Sequence, residues 1–217
     1  MRIFSNLAIS LDGKIADRCH PSQSLGSKED KRRMNLIRDM ADVVVFGAST
    51  LRSHPVTVRY KTRKKALRPL VNAVISASGN LNSKWKFWDD DEVLRFVFTT
   101  EESEQRALEN ARDRAFVVTA GKSKINASLV LQRLKESALN NVLVEGGGET
   151  MSLFLKDKLL QELYVTLTPW ILGGRHNPTL VDGEEGLLSW IKLKKMRSEW
   201  KKEELFLHYK VPGARRV

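Results

Sequence analysis

Short runs of β-branched residues alternate with amphipathic stretches along most of this sequence, and this alternation most restricts the folds that the chain can adopt. Residues 42–47 include three consecutive valines, as expected of a strand buried on both faces of a parallel sheet. In residues 127–138, apolar side chains recur at helical spacing. Strand–helix alternation of this kind predicts an α/β fold with a largely parallel sheet.

The other elements follow from the same patterns. Strands are predicted over residues 3–9, 42–47, 71–76, 93–99, 116–119 and 142–144, and the chain from 163 to 210 is expected to form mostly strands at an antiparallel edge. One helix is predicted to begin at residue 27, and two more to span 102–112 and 127–138. A fourth is predicted to follow the glycines at 146–148 and to run through residue 154. Ser27 and Asp30 have the spacing of a capping box. No repeat or linker divides the chain, so residues 1–217 are predicted to be one domain.

Composition excludes several classes of protein. The 217 residues are 41% apolar and 29% charged, which fits neither a disordered chain nor a membrane protein. The first residues do not resemble a signal peptide. A single cysteine, Cys19, excludes an internal disulfide, and the four histidines lack metal-ligand spacing. We therefore expect a cytoplasmic protein without a metal.

The net charge of +11 would suit a phosphorylated small molecule or a polyanion. Basic residues concentrate within residues 59–68 and 192–202, but few aromatic residues interleave with them, as nucleic-acid binding would favour. A solvated surface explains both runs, and nucleic acid is not expected as a partner.

The sequence VLVEGGGET, residues 142–150, carries the most information about function. A strand, a glycine turn and a helix start follow one another, which would let exposed N–H groups bind a phosphate. A tight turn that requires positive φ explains the same glycines equally well. Glu145 ends the strand, where open α/β sheets place working residues.

Three more segments join this turn: SLDGKIA at residues 10–16, ADVVVFGASTLR at 41–52 and LTPWILGG at 167–174. Together, and in this order, the four segments resemble the reductases of riboflavin biosynthesis. That family includes the C-terminal domain of the bacterial riboflavin-specific deaminase/reductase and belongs to the dihydrofolate-reductase-like superfamily. The resemblance covers residues 1 to about 209.

The resemblance implies a dihydrofolate-reductase-like three-layer α/β fold, with a mostly parallel central sheet, an antiparallel C-terminal edge and helices on both faces. It implies that NADPH delivers a hydride to the ribose C1′ of a ribosylamino-pyrimidine 5′-phosphate, giving the ribitylamino product. It also implies a homodimer, with residues 164–172 as a candidate contact. The deaminase must be a separate protein, because one cysteine cannot supply its zinc signature.

Individual residues receive roles from the same resemblance. Lys14 and Glu145 match positions expected to assist catalysis. The positions that match substrate-binding residues are Ser22, Arg38, Val56 and Arg59, and the two guanidiniums are expected to converge on the phosphate. The positions that match cofactor-binding residues are Ala8, Thr50, Ser76, Gly147, Gly148, Glu149 and Thr150.

Ser53 and His54 depart from the family pattern, because an acidic residue that contacts the cofactor usually precedes the proline matching Pro55. Two alternatives therefore stay open: a related reductase of another pterin- or pyrimidine-like substrate, and a basic nucleic-acid-binding protein that keeps the fold. The sequence does not distinguish an amino from a deaminated pyrimidine.

Overall fold

A computed structural model describes residues 1–20, 24–55, 57–61, 69–183, 187 and 189–215. Strands and α-helices alternate up to α5, except that no α-helix separates β3 from β4, and strands follow α5. The elements are β1 (Arg2–Ile9), α1 (Lys28–Arg38), β2 (Val43–Gly47), α2 (Ala48–Ser53), β3 (Val71–Ile75), β4 (Arg95–Thr99), α3 (Glu104–Ala111), β5 (Phe116–Thr119), α4 (Ala127–Glu136), β6 (Asn141–Val144), α5 (Gly148–Lys156), β7 (Glu162–Leu167), β8 (Lys194–Lys201) and β9 (Glu204–Lys210).

These strands form one sheet in the order β5-β4-β3-β2-β6-β1-β7-β9-β8. The pairs from β5 to β7 are parallel, whereas β9 is antiparallel to both β7 and β8. The predicted mostly parallel sheet with an antiparallel C-terminal edge is confirmed. Because β7 lies between β1 and β9, both of its edges are paired, and the free edge at this end of the sheet belongs to β8.

Each face of the sheet is covered by helices, which gives the predicted three layers. On one face, Val130 and Leu134 of α4 and Phe154 of α5 pack in a cluster with Val45 and Val144. On the other, Ile37 of α1, Leu51 of α2 and Ala107 of α3 pack with Val44 and Leu143. Neighbouring strand residues therefore point to opposite cores, and the central strands are buried on both faces.

The start of α1 confirms one half of the predicted capping box and corrects the other. The Ser27 side chain accepts hydrogen bonds from the backbone N–H groups of Glu29 and Asp30. The reciprocal partner is not Asp30, because the Ser27 N–H donates to Glu204 Oε1 at 2.8 Å and its hydroxyl to Oε2 at 2.6 Å. A carboxylate at the start of β9 thus replaces the local one.

Strand β4 begins two residues later than the sequence suggested. The buried Arg95 guanidinium donates to the carbonyl oxygens of Phe87, Asp90 and Val93, so the preceding segment wraps around Arg95 instead of joining the ladder. Among the described residues, no helix has the length and apolar content needed to cross a membrane.

Candidate functional site

The loops that follow the parallel strands meet at one edge of the sheet, because parallel strands end on the same side. Lys14 follows β1, Glu145 follows β6 and Ser76 follows β3. Ala8 lies near the end of β1, half-buried and paired with Thr166 of β7. Most of the predicted site residues therefore gather at this carboxyl edge, as the sequence led us to expect.

Glu145 is held by Arg38. The Arg38 guanidinium donates from Nε to Oε1 at 2.8 Å and to Oε2 at 3.1 Å, and from Nη2 to Oε2 at 2.6 Å. The side chains are only 17% and 12% exposed. Burial opposes the charge of Arg38, but the charge and hydrogen bonds of Glu145 outweigh burial and raise the pKa of the guanidinium. The structure joins two residues to which the sequence assigned separate roles.

Lys14 stands on a loop that Asp12 fastens to the loop after β7. The Asp12 carboxylate accepts hydrogen bonds from the Ser10 hydroxyl at 2.6 Å and from the N–H groups of Leu172 at 3.1 Å and Gly173 at 2.7 Å. These bonds, with that of Ser10 foremost, lower the pKa of Asp12 to about 2. Lys14 Nζ donates to the carbonyl oxygen of Asn177 at 3.2 Å rather than to Glu145.

The glycine turn after β6 does not use positive φ, which rules out the purely conformational explanation of its sequence. A Cβ on Gly148 would lie 2.6 Å from the Thr179 carbonyl oxygen and would overlap the Asp182 carboxylate, so Gly148 permits close packing. Gly147 differs, because its φ of −63° suits any residue and a Cβ at this position would meet nothing within 4 Å. The fold alone does not require glycine at 147.

Helix α5 begins beside this open position. Gly147 is its N-cap, and no side chain caps the first turn. Glu149 is exposed in that turn, whereas Thr150 is 6% exposed and fills the space between Gly47 and Gly146. Thr50, half-buried in the first turn of α2, lies after the neighbouring strand β2. Of the predicted cofactor residues, Thr150 has the clearest packing role.

Two buried hydroxyls at the same edge lack partners. Ser76 Oγ, after β3, and Thr99 Oγ1, at the end of β4, are both covered and make no hydrogen bond within the described part of the chain. The Ser76 N–H bonds the Phe98 carbonyl oxygen at 2.9 Å, so the two residues are neighbours across the sheet. Ser76 was predicted from the sequence and Thr99 was not, although a hydroxyl at the end of a buried strand could have indicated it.

Arg59 is not brought to the Arg38–Glu145 pair. Its guanidinium binds Asp90 and Glu92, which precede β4. The neighbouring Val58 N–H bonds Asn72, at the start of β3. Arg59 therefore lies towards the amino-terminal ends of these strands, and its contact with a substrate phosphate stays a prediction.

Two other predicted substrate residues, Ser22 and Val56, fall outside the described residues, as do residues 62–68, which make up most of the basic run 59–68. The described part of the chain contains no group of three or more His, Cys, Asp or Glu side chains that could hold a metal. Cavities of about 810 and 420 Å³ border β7 and β9 instead, and neither is lined by a predicted site residue.

Comparison with known proteins identifies relatives along nearly the whole chain. The family described as the RibD C-terminal domain matches residues 2–207. A 2,5-diamino-6-ribosylamino-4(3H)-pyrimidinone 5′-phosphate reductase from Methanothermobacter thermautotrophicus is 31% identical over 215 residues, which cover 97% of this chain and 98% of the relative. The riboflavin biosynthesis protein RibD of Aquifex aeolicus is 28% identical, with 94% of this chain and 56% of that protein covered.

Solved structures share the fold. A pyrimidine reductase-like protein from Corynebacterium diphtheriae matches with a TM-score of 0.83 at 20% identity, over 97% of this chain and 91% of the other. The deaminase/reductase of Thermotoga maritima matches with a TM-score of 0.76 at 22% identity, over 97% of this chain and 56% of the other. The predicted dihydrofolate-reductase-like fold is confirmed.

Proposed function

The chain belongs to the RibD C-terminal domain family, and on that premise we propose that it is an NADPH-dependent reductase of a phosphorylated ribosylamino-pyrimidine in riboflavin biosynthesis. The observation that carries the proposal is the buried Arg38–Glu145 pair at the edge of the sheet where the open Gly147 turn begins α5. A carboxylate for the substrate and a backbone cradle for the cofactor thus lie in the same turn, between β6 and α5.

The carboxyl edge fits a nicotinamide dinucleotide. Such a cofactor supplies the hydride when it is bound. Gly147 leaves room for a close approach to the backbone, and the uncapped N–H groups at the start of α5 favour a diphosphate. The orphaned hydroxyls of Ser76 and Thr99 offer hydrogen bonds that the described part of the chain leaves unused. The chain would bind NADPH through these groups.

Reduction at C1′ breaks the bond between C1′ and the ring oxygen, and that oxygen takes up a proton as the sugar opens. The site must therefore stabilise negative charge and deliver a proton. Lys14 and Glu145, on the loops after adjacent strands β1 and β6, are proposed for these tasks. Arg38 and Arg59 are proposed for the substrate phosphate, which requires Arg59 to leave Asp90 and Glu92. Ser22 and Val56 are proposed as further substrate contacts.

The proposal is tested by following NADPH oxidation with the amino and the deaminated pyrimidine phosphates as separate substrates. We expect turnover of at least one of them, with the ribitylamino compound as product. A Glu145→Gln variant should lower kcat by about 10²-fold, the usual contribution of a positioned acid–base group.

Glu136→Gln is the matched control for this substitution, because Glu136 lies on the exposed side of α4, away from the carboxyl edge. It should retain wild-type activity. A wild-type protein that binds NADPH but reduces neither pyrimidine phosphate would contradict the proposed substrate, and full activity of Glu145→Gln would remove Glu145 from the chemistry.

A further inference from the structure

Asn6 lies on β1, which runs between β6 and β7 in the sheet. It pairs with Tyr164 of β7, and its neighbour Ser5 pairs with Val144 of β6, so Glu145 comes next along the adjoining strand. Because strand residues alternate between faces, Asn6 shares the face of Phe4, which packs against α1. Asn6 therefore stands between Tyr164 and Glu145, on the side of the sheet from which Arg38 reaches the carboxylate.

The side-chain carbonyl oxygen of Asn6 is left without a partner in the described part of the chain. The residue is 8% exposed, and Oδ1 is buried without a hydrogen bond. Its polar neighbours are engaged elsewhere within the described part of the chain, since Glu145 accepts three hydrogen bonds from Arg38 and the Tyr164 hydroxyl donates to Glu162. An unsatisfied buried amide destabilises a fold, so its presence calls for another explanation.

Asn72 is an example of a buried asparagine with a structural role in this chain. Asn72 on β3 is fully buried, accepts from the Val58 N–H at 2.8 Å and donates to the carbonyl oxygens of Val58 at 2.9 Å and Leu70 at 3.0 Å. That amide fastens residue 58 to the sheet. Asn6 does nothing comparable among the described residues, although both asparagines lie in buried parallel strands.

We propose that Asn6 is a further substrate-binding residue, whose amide binds a hydroxyl or amino group of the sugar–amine part of the substrate beside Glu145. The inference rests on the proposed function and adds a specific contact to it. An orphaned carbonyl oxygen requires a donor, and a ribosylamine carries hydroxyl and N–H donors around C1′. The terminal torsion of asparagine is broad, so either amide atom can turn towards a ligand.

Asn6→Leu tests this role, because leucine keeps the branched shape of asparagine and removes the unsatisfied amide. We expect the thermal midpoint to match or exceed that of the wild type, and kcat/KM for the pyrimidine phosphate to fall about 10- to 100-fold. The dissociation constant for NADPH should change less than about twofold, because the lost contact belongs to the substrate.

Asn72→Leu is the matched control, and the opposite result is expected of it: a lower thermal midpoint with kcat/KM of the folded fraction close to wild type. If Asn6→Leu does not fold, Asn6→Ala carries the same comparison. An Asn6 variant with unchanged kcat/KM overturns the proposed role while the reductase assignment stands. A wild-type protein inactive on both pyrimidine phosphates overturns the assignment itself, and the role of Asn6 with it.

Discussion

At the scale of single residues, the site depends on which charge pairs with which. Arg38 and Glu145 are 107 positions apart in the chain, yet they form a bidentate pair with most of both side chains covered. Removing one partner of a buried pair leaves the other charge without compensation, and the penalty is far larger than for an exposed pair. Breaking the Arg38–Glu145 pair should therefore lower the free energy of unfolding more than breaking an exposed pair does.

Arg38→Met should lower the free energy of unfolding by about 3 kcal/mol, because Glu145 would be left buried without its cation. Arg133→Met is the control, since the Arg133–Glu136 pair is 53% and 49% exposed; its loss should stay below about 0.5 kcal/mol. Chemical denaturation of the two variants and of Arg38→Met/Glu145→Leu provides the comparison. The double variant should recover much of the stability that Arg38→Met loses. If Arg38→Met and Arg133→Met lower the free energy of unfolding equally, the buried pair behaves as a surface pair.

At the scale of elements, the turn between β6 and α5 contains two glycines with different structural roles. Gly148 permits the loop at Thr179 and Asp182 to pack against the helix start. Gly147 has ordinary backbone angles and open space around it. A side chain at position 148 disturbs the fold, whereas at position 147 it obstructs whatever approaches the backbone.

Gly148→Ala should lower the free energy of unfolding by about 1–3 kcal/mol through overpacking, whereas Gly147→Val should leave it nearly unchanged. Gly147→Val should instead weaken NADPH binding by roughly tenfold or more, since a branched side chain blocks approach to the α5 N–H groups. Calorimetric titration with NADPH and thermal denaturation measure the two effects. Unaltered NADPH affinity in Gly147→Val would make the turn a packing feature alone.

At the scale of the whole molecule, two carboxylates connect elements that are distant in the sequence. Asp12 links the loops after β1 and β7. Glu162 accepts from Arg2 at 2.8 and 2.9 Å and contacts His208 and Tyr164, which join β1, β7 and β9. The bonds from Arg2, with smaller contributions from His208 and Tyr164, lower the pKa of Glu162 to about 2.

This arrangement predicts acid sensitivity. A carboxylate whose pKa is lower in the folded than in the unfolded chain stabilises the fold above the unfolded value of roughly 4. That contribution is lost as the pH falls through the folded value of about 2. The free energy of unfolding should thus decline between about pH 4.5 and pH 2, and Glu162→Gln should flatten the decline. Glu203→Gln, in the exposed β8–β9 turn, should leave the decline unchanged. If the free energy of unfolding falls with the same pH slope in both variants, Glu162 is not a source of the acid sensitivity.

The sequence predicted the fold class and the edge of the sheet that carries the site, because both depend on local patterns. Buried strands read as β-branched runs, and glycines and charged residues immediately follow them. Helices α1, α4 and α5 were recognised from apolar spacing and caps. The start of β4 was placed wrongly, because the three carbonyl contacts of Arg95 are invisible in a hydrophobic pattern.

The sequence by itself thus determined which residues end the strands and that these ends share one edge of a sheet. Only the tertiary structure decided the partners of the charged and polar side chains there. Ser27 bonds Glu204 across 177 residues, Arg38 pairs with Glu145, and the side-chain carbonyl oxygen of Asn6 has no partner among the described residues. Local propensity acts over a few neighbours, whereas these pairings depend on strand order, which places β6 between β1 and β2 and brings distant segments into contact.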